Sequence, residues 1–212
     1  MQLCYPGGVL LDGPSDARTT LVLAHGAGTP MDAPFLSTVA GELAARGFRV
    51  ARFEFPYMAK RREEGRRGPL DRPPVLLAAW RDALRELGGA PRLVIGGKSL
   101  GGRMASLLAD EVEARGLVCL GYPFHPPKQP ERLRTAHLEG IRTPTLIVQG
   151  TRDPFGTTED VAGYRLSPAI RLVWIEDGDH DLRPRARSGR SQAGNLREAI
   201  DAMAGFLQQL ER

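Results

Sequence analysis

The stretch VIGGKSLGGR, Val94 to Arg103, sets a lysine and a serine among four glycines, and two chemistries use such a pattern. Gly97-Lys98-Ser99 could close a phosphate-binding loop, while Gly97-Lys98-Ser99-Leu100-Gly101 reads as the G-x-S-x-G turn that presents a nucleophilic serine. A phosphate-binding loop needs a glycine five residues before its second glycine, so that the backbone can wrap the anion. That position is Arg92, and residues 92–95 read as strand, which excludes the phosphate reading. The serine reading has its required context. Strand RLVIG runs into Ser99, a helix leaves it, and small residues two before and two after let the turn close. A serine at a helix N-terminus also meets free N–H groups and the positive end of the helix dipole.

A serine nucleophile needs a base, and the base needs an orienting carboxylate. The chain has four histidines, His25, His125, His137 and His180. His180, in EDGDHDL, follows the last expected strand and precedes the last helix. Asp153, in GTRDPFG, follows the strand before it. Ser99, Asp153 and His180 thus stand in the chain order Ser…Asp…His, each beyond the C-terminal end of a strand. Asp177, Asp179 and Asp181 crowd His180 in sequence, but as turn neighbours they read as solvated acids, and Asp153 is the preferred partner. An oxyanion would be received by the backbone N–H of Leu100 and by that of Ala27, in the loop HGAGTPMD. His25 then reads as a structural anchor of that loop.

These residues require strands whose ends share one edge. TTLVLAH (19–25), FRVARFEFPY (48–57), RLVIGG (92–97), LVCLGYP (117–123), TPTLIVQG (143–150) and IRLVWIEDGD (170–179) read as strands. Between and after them, 33–47, 73–89, 101–116, 157–167 and 195–210 carry helical periodicity, several opened by proline or closed by glycine. Apolar strands alternating with helices predict an α/β fold with a mostly parallel sheet covered on both faces, as a single domain over 1–212. Segments 58–72 and 184–191 read as irregular, candidate rim or lid loops at the sheet edge where such folds bind ligands, with disordered surface loops as the alternative.

Composition narrows the function classes. At 212 residues and 42% hydrophobic content the chain suits one globular domain; no apolar run reaches membrane-spanning length, and the N-terminus does not read as a signal peptide. Cys4 and Cys119 suggest no disulfide framework, so a cytoplasmic location is expected. The net charge of +4 comes almost wholly from arginine, since only Lys60, Lys98 and Lys128 are lysines. Its two clusters, 60–68 and 183–190, accompany no groove-reading module and no stacking aromatics, so no nucleic-acid partner and no membrane partner are expected. One histidine near acids is not a metal site, and neither metal nor organic cofactor is implied.

GGKSLGGR, LAHGAG, GTRDPFG and DGDHDL together resemble the α/β-hydrolase superfamily. Within it they resemble a small lidless group of uncharacterised bacterial hydrolases, related to a testis-expressed protein and a subunit of the NSL chromatin complex. The resemblance implies an α/β-hydrolase fold without a large cap, because the segment GYPFHPPKQPERLRTAHLEG is short. It implies a carboxylesterase-like serine hydrolase acting on an ester or related acyl bond of a small, soluble substrate through Ser99, Asp153 and His180. Tyr57, Phe124, His125 and Pro126 are candidate substrate-rim residues, with ordinary loop packing as the alternative. Thioesterase, peptidase or acyltransferase chemistry on the same residues stays open, as does a non-enzymatic interaction module; neither the acyl group nor the oligomeric state is fixed.

Overall fold

A run of apolar residues buried on both sides needs helices above and below it, and five of the strands are of that kind. The computed structural model describes residues 8–66 and 68–212; Cys4 and Arg67 lie outside them. Its strands are β1 (Val9–Asp12), β2 (Thr20–Ala24), β3 (Arg49–Phe53), β4 (Leu93–Lys98), β5 (Gly116–Leu120), β6 (Thr145–Gly150) and β7 (Ile170–Ile175). Its helices are α1 (Pro34–Ala45), α2 (Pro56–Glu64), α3 (Pro73–Glu86), α4 (Leu100–Leu108), α5 (Thr158–Ala162) and α6 (Gln192–Leu210). The strands form one sheet in the order β1-β3-β2-β4-β5-β6-β7, with only β1 antiparallel to its neighbour.

Alternation along each strand divides the core in two. Val94 of β4 packs with Leu36, Val39 and Leu43 of α1 and with Ile200, Met203 and Leu207 of α6. Ile95, its neighbour, packs on the other face with Trp80 and Ala83 of α3 and Met104 and Ala105 of α4. This is the α/β-hydrolase fold with no large cap. Between β5 and β6 the chain makes only loops and one 3-10 turn, Ala136–Glu139. No helix among the described residues is long and apolar enough to cross a membrane.

Several expectations from sequence change. The strand expected to reach Tyr57 stops at Phe53, and the segment expected to be irregular begins with α2. Pro56 at the first helical position and Gly65 in the left-handed conformation delimit that helix. Its body, KRREE, is so polar that only Tyr57, Met58 and Ala59 are buried, which removes the periodic apolar signal. β1 was not foreseen either; it is a short edge strand whose Leu10 and Leu11 face solvent. The helix expected over 101–116 winds only to Leu108 before passing through turns into β5.

The topology places the site. After β2 the chain steps outward to β3, then crosses back to β4 on the other side of β2, so the order reverses between β2 and β4. Loops leaving adjacent parallel strands diverge at such a point and open a crevice. In register, Ala24 of β2 stands opposite Gly97 of β4, so His25 and Ser99 leave the sheet side by side.

The close fit at that point depends on Gly101, where a Cβ would lie 2.2 Å from the Ala24 carbonyl oxygen and 2.8 Å from that of His25. Gly101→Ala is therefore expected to lose ~1–3 kcal/mol of stability in urea unfolding. Gly140→Ala, where a Cβ would meet nothing within 4 Å, is expected to stay within ~0.5 kcal/mol of the parent.

Candidate active site

Ser99 sits between β4 and α4 with φ 50° and ψ −112°, a conformation that costs a non-glycine residue ~1–3 kcal/mol. Backbone packing supplies that energy: its N–H donates to the Leu120 carbonyl at 2.9 Å, and α4 begins at the next residue. The side chain is partly exposed, and among the described residues its hydroxyl has no hydrogen-bond partner. The Leu100 N–H, at the first position of α4, is also unpaired there.

Asp153 and His180 come from the loops after β6 and β7. Nδ1 of His180 lies 2.8 Å from Oδ2 of Asp153. A carboxylate can only accept, so Nδ1 carries the proton and Nε2 is left as the basic lone pair. Asp153 is fully buried and three groups donate to it: His180, the Phe155 N–H at 2.9 Å and the Gln149 side-chain amide at 3.0 Å. The Phe155 ring lies 4.4 Å from the imidazole, centroid to centroid. Gly150 permits the crossing of the two loops, because a Cβ there would fall 2.3 Å from the Gly178 carbonyl oxygen. β5 bridges the halves of the site. Leu120 accepts from Ser99, and a Cβ on the next residue, Gly121, would stand 3.2 Å from Nδ1 of His180. The structure thus joins Asp153 to His180 directly, and brings Ser99 to the same edge without a Ser99–His180 hydrogen bond.

The loop after β2 is tied down from below. The Phe55 N–H donates to Nε2 of His25 at 3.0 Å, so the imidazole proton is on Nδ1, which donates to the Gly26 carbonyl at 2.7 Å. Tyr57, expected at the substrate rim, is buried beneath this loop, and its hydroxyl donates to the Gly26 and Ala27 carbonyls. Farther along, fully buried Glu54 accepts from the Met31 N–H and from Arg62, which also grips Asp32 at 2.8 Å. Arg52 donates to the Met31 carbonyl and to Asp12. With its carbonyl held inward, Ala27 is exposed and its N–H is unpaired among the described residues.

The other expected residues fall elsewhere. Phe124 is fully buried against Tyr122, Tyr164 and Gly156, and His125 is buried 3.4 Å from Asp160, so neither presents a side chain to an open rim. Pro126 remains in the adjoining loop, its carbonyl in contact with Nδ1 of His125. Asp177, read as a solvated acid, is buried between Arg152 and Arg185; Asp179 accepts from the Asp181 and Arg183 N–H groups. Asp181 pairs with Lys98 at 3.3 Å. Lys98 itself is buried, which pulls its pKa down against the opposing pull of Asp181, Asp153 and Asp179. Gln149, Glu54 and Arg62 were not singled out from sequence. Gln149 and Glu54 had a usable signal, as polar residues inside the apolar runs TLIVQG and RVARFEF. Among the described residues no group of three or more His, Cys, Asp or Glu could hold a metal ion.

Burial holds the His25 imidazole below its ordinary pKa, against the raising effect of its bond to Gly26. The unfolded chain therefore takes up that proton first: this histidine's share of stability is whole above ~6.5 and is lost as pH falls below that value. In a pH titration followed by nitrogen NMR, neutral His25 is expected to carry its proton on Nδ1 and to become cationic at lower pH than an exposed histidine. A His25 that titrates with or above an exposed histidine would contradict this account of the loop.

Residues 17–208 match the family described as alpha/beta hydrolase domain. Among curated proteins, the chain is 32% identical over 142 residues to "Putative protein-lysine deacylase ABHD14B" of Rattus norvegicus, covering 65% of this chain and 63% of that one, just under two thirds of the relative's length. Among solved structures it is similar to an alpha-beta serine hydrolase homologue from Coxiella burnetii, with a TM-score of 0.69, 20% identity, and coverage of 94% and 90% of the two chains. It is similar also to a dienelactone hydrolase from Anabaena variabilis, with a TM-score of 0.71, 21% identity, and coverage of 95% and 90%. The strand order, the strained serine turn and the family match over nine tenths of the chain lead to one conclusion: this protein belongs to the alpha/beta hydrolase family.

Proposed function

We propose that the protein is a serine hydrolase that cleaves an ester or related acyl bond of a small substrate through an acyl-enzyme. The observation that carries this reading is the buried Asp153–His180 pair at 2.8 Å, on the same sheet edge as a serine held in a strained turn. Oγ of Ser99 attacks the acyl carbon as its proton passes to Nε2 of His180. Asp153 holds the ring and stabilises the imidazolium. The carbonyl oxygen, now an oxyanion, accepts from the N–H groups of Ala27 and Leu100, both free to donate. Collapse expels the leaving group, which takes the proton from His180. Water then gives a proton to His180 as it attacks the acyl carbon, and when the C–Oγ bond breaks His180 returns that proton to Oγ, releasing the acid and the free serine.

The narrower kinship with the small lidless group belongs to this reading, supported by the same motifs and by the short β5–β6 segment. A second reading is favoured by the printed name of the rat relative: the acyl bond would be the amide of an acylated lysine. The same catalytic steps serve both, with an amine replacing the alcohol as leaving group.

A fluorophosphonate probe is expected to add its mass to the wild-type chain and not to Ser99→Ala. Folded wild type that takes up no label would sink the reading. With an activated aryl ester, Asp153→Asn is expected to lower kcat by ~10⁴. Gln149→Leu, which removes a donor from the Asp153 carboxylate, is expected to lower kcat by a smaller factor with KM little changed, marking it as a positioning residue. Equal KM and kcat effects would assign Gln149 to substrate binding instead.

A further inference from the structure

Beside the candidate catalytic residues a cleft of about 490 Å³ opens between α1 and α6, on the face of the sheet opposite α3 and α4. Its lining begins where the site ends. Lys98 precedes Ser99, Asp181 follows His180, and Thr29 belongs to the same loop as Ala27. Along β4 the side chain of Lys98 takes the same alternation as Val94, so it enters from the sheet floor on the α1/α6 side. Its side chain is 7% exposed, with Nζ 5.7 Å from the Phe35 ring centroid, and its acid partner among the described residues, Asp181, is 47% exposed.

The charge at the cleft is unbalanced. Lys98, Arg183 and Arg197 bring three cations, and Asp181 and Glu42 bring two acids. Only Lys98 and Asp181 are paired; the guanidinium groups of Arg183 and Arg197 meet no carboxylate among the described residues. Between these charges the walls are apolar, formed by Phe35 of α1 and by Leu196 and Ile200 of α6. A neutral hydrocarbon would leave the guanidinium groups unused, and a compact anion would leave the apolar walls unfilled. A short chain ending in a carboxylate satisfies both, and it can replace solvent-exposed Asp181 on the buried ammonium.

We infer that this cleft binds the acyl part of the substrate, and that this part is a short aliphatic chain with a terminal carboxylate, of succinyl or glutaryl length. The assignment rests on the serine hydrolase reading for the word acyl, because Thr29 and Lys98 adjoin the two elements that would grip the acyl carbonyl. The anion site itself rests on the cleft alone. Lys98 thereby gains a role that the second position of a G-x-S-x-G turn does not require.

The probes are monomethyl glutarate and methyl valerate, matched in chain length and differing in the carboxylate, titrated into the Ser99→Ala protein by NMR. The anionic ester is expected to bind about tenfold more tightly or better, with a gap that narrows as salt is raised. In Arg183→Ala/Arg197→Ala, whose substitutions are at exposed positions, the gap is expected to close. Lys98→Met should close it too, but the double arginine variant decides if that buried change impairs folding. Equal affinities, or a gap untouched by removing both arginines, would overturn the assignment. A binding gap in Ser99→Ala, together with folded wild type that takes up no fluorophosphonate, would refute the hydrolase reading and still support the anion site.

Discussion

The contact on which the rest depends is the one between the first turn of α4 and the end of β2. The backbone of Gly101 rests so close to the Ala24 carbonyl that no side chain fits between them. That approach decides how sharply the chain turns after Lys98, and the sharpness of the turn puts Ser99 in a conformation few residues tolerate. It also sets the first turn of α4 beside the loop leaving β2, so the two N–H groups nominated for an oxyanion come from adjoining segments. A fold that reversed its strand order elsewhere would separate those segments. The reversal between β2 and β4 makes the crevice, and the glycine contact makes it narrow.

A buried carboxylate is the second constraint, and it shows how the opposite half is held. Asp153 has no contact with water, so each donor it lacked would cost ~1–3 kcal/mol. Three donors meet it, and Gln149 does more than supply one. Its carbonyl oxygen accepts from the Tyr122 N–H and its amide also reaches the Tyr122 and Gly156 carbonyls, so one side chain fixes the ends of β5 and β6 and the turn carrying Asp153. Buried polar networks of this kind are costly when incomplete and rigid when complete. The histidine inherits that rigidity through a single hydrogen bond while keeping its other nitrogen free.

Much of this was legible in the sequence because the signals were local. The buried strands are largely apolar runs, Ser99 and Asp153 follow two of them, and His180 comes after the last strand, β7. What escaped was what depends on distant partners. KRREE gives no periodicity because α2 buries little more than one turn, and its function, gripping Glu54 and Asp32 through Arg62, appears only once the loop after β2 lies beside it. Phe124 and His125 looked available in a proline-rich segment, yet the turn at Gly156 comes back over Phe124 and covers it. Asp177 looked like a solvated neighbour of His180 because nothing in the local sequence shows that Arg152 arrives from another loop to meet it.

The two ends of the crevice are built by unlike means, and the difference bears on what the site can accept. The loop after β2 is clamped by charge: Arg52, Glu54 and Arg62 hold both faces of Met31 and Asp32, so that segment is fixed before any ligand arrives. On the α6 side the charges are not closed upon themselves. Lys98 leans on an acid that is nearly half exposed, and the two arginines beyond it contact no carboxylate among the described residues. A charge kept buried with so weak a partner lowers stability unless something else makes use of it. On the same face of β4 the positions below it are Gly96 and Val94, neither of them charged. On the proposed reading the ligand of the cleft supplies that use, and the rigid end of the crevice then determines where the reacting bond of that ligand lies.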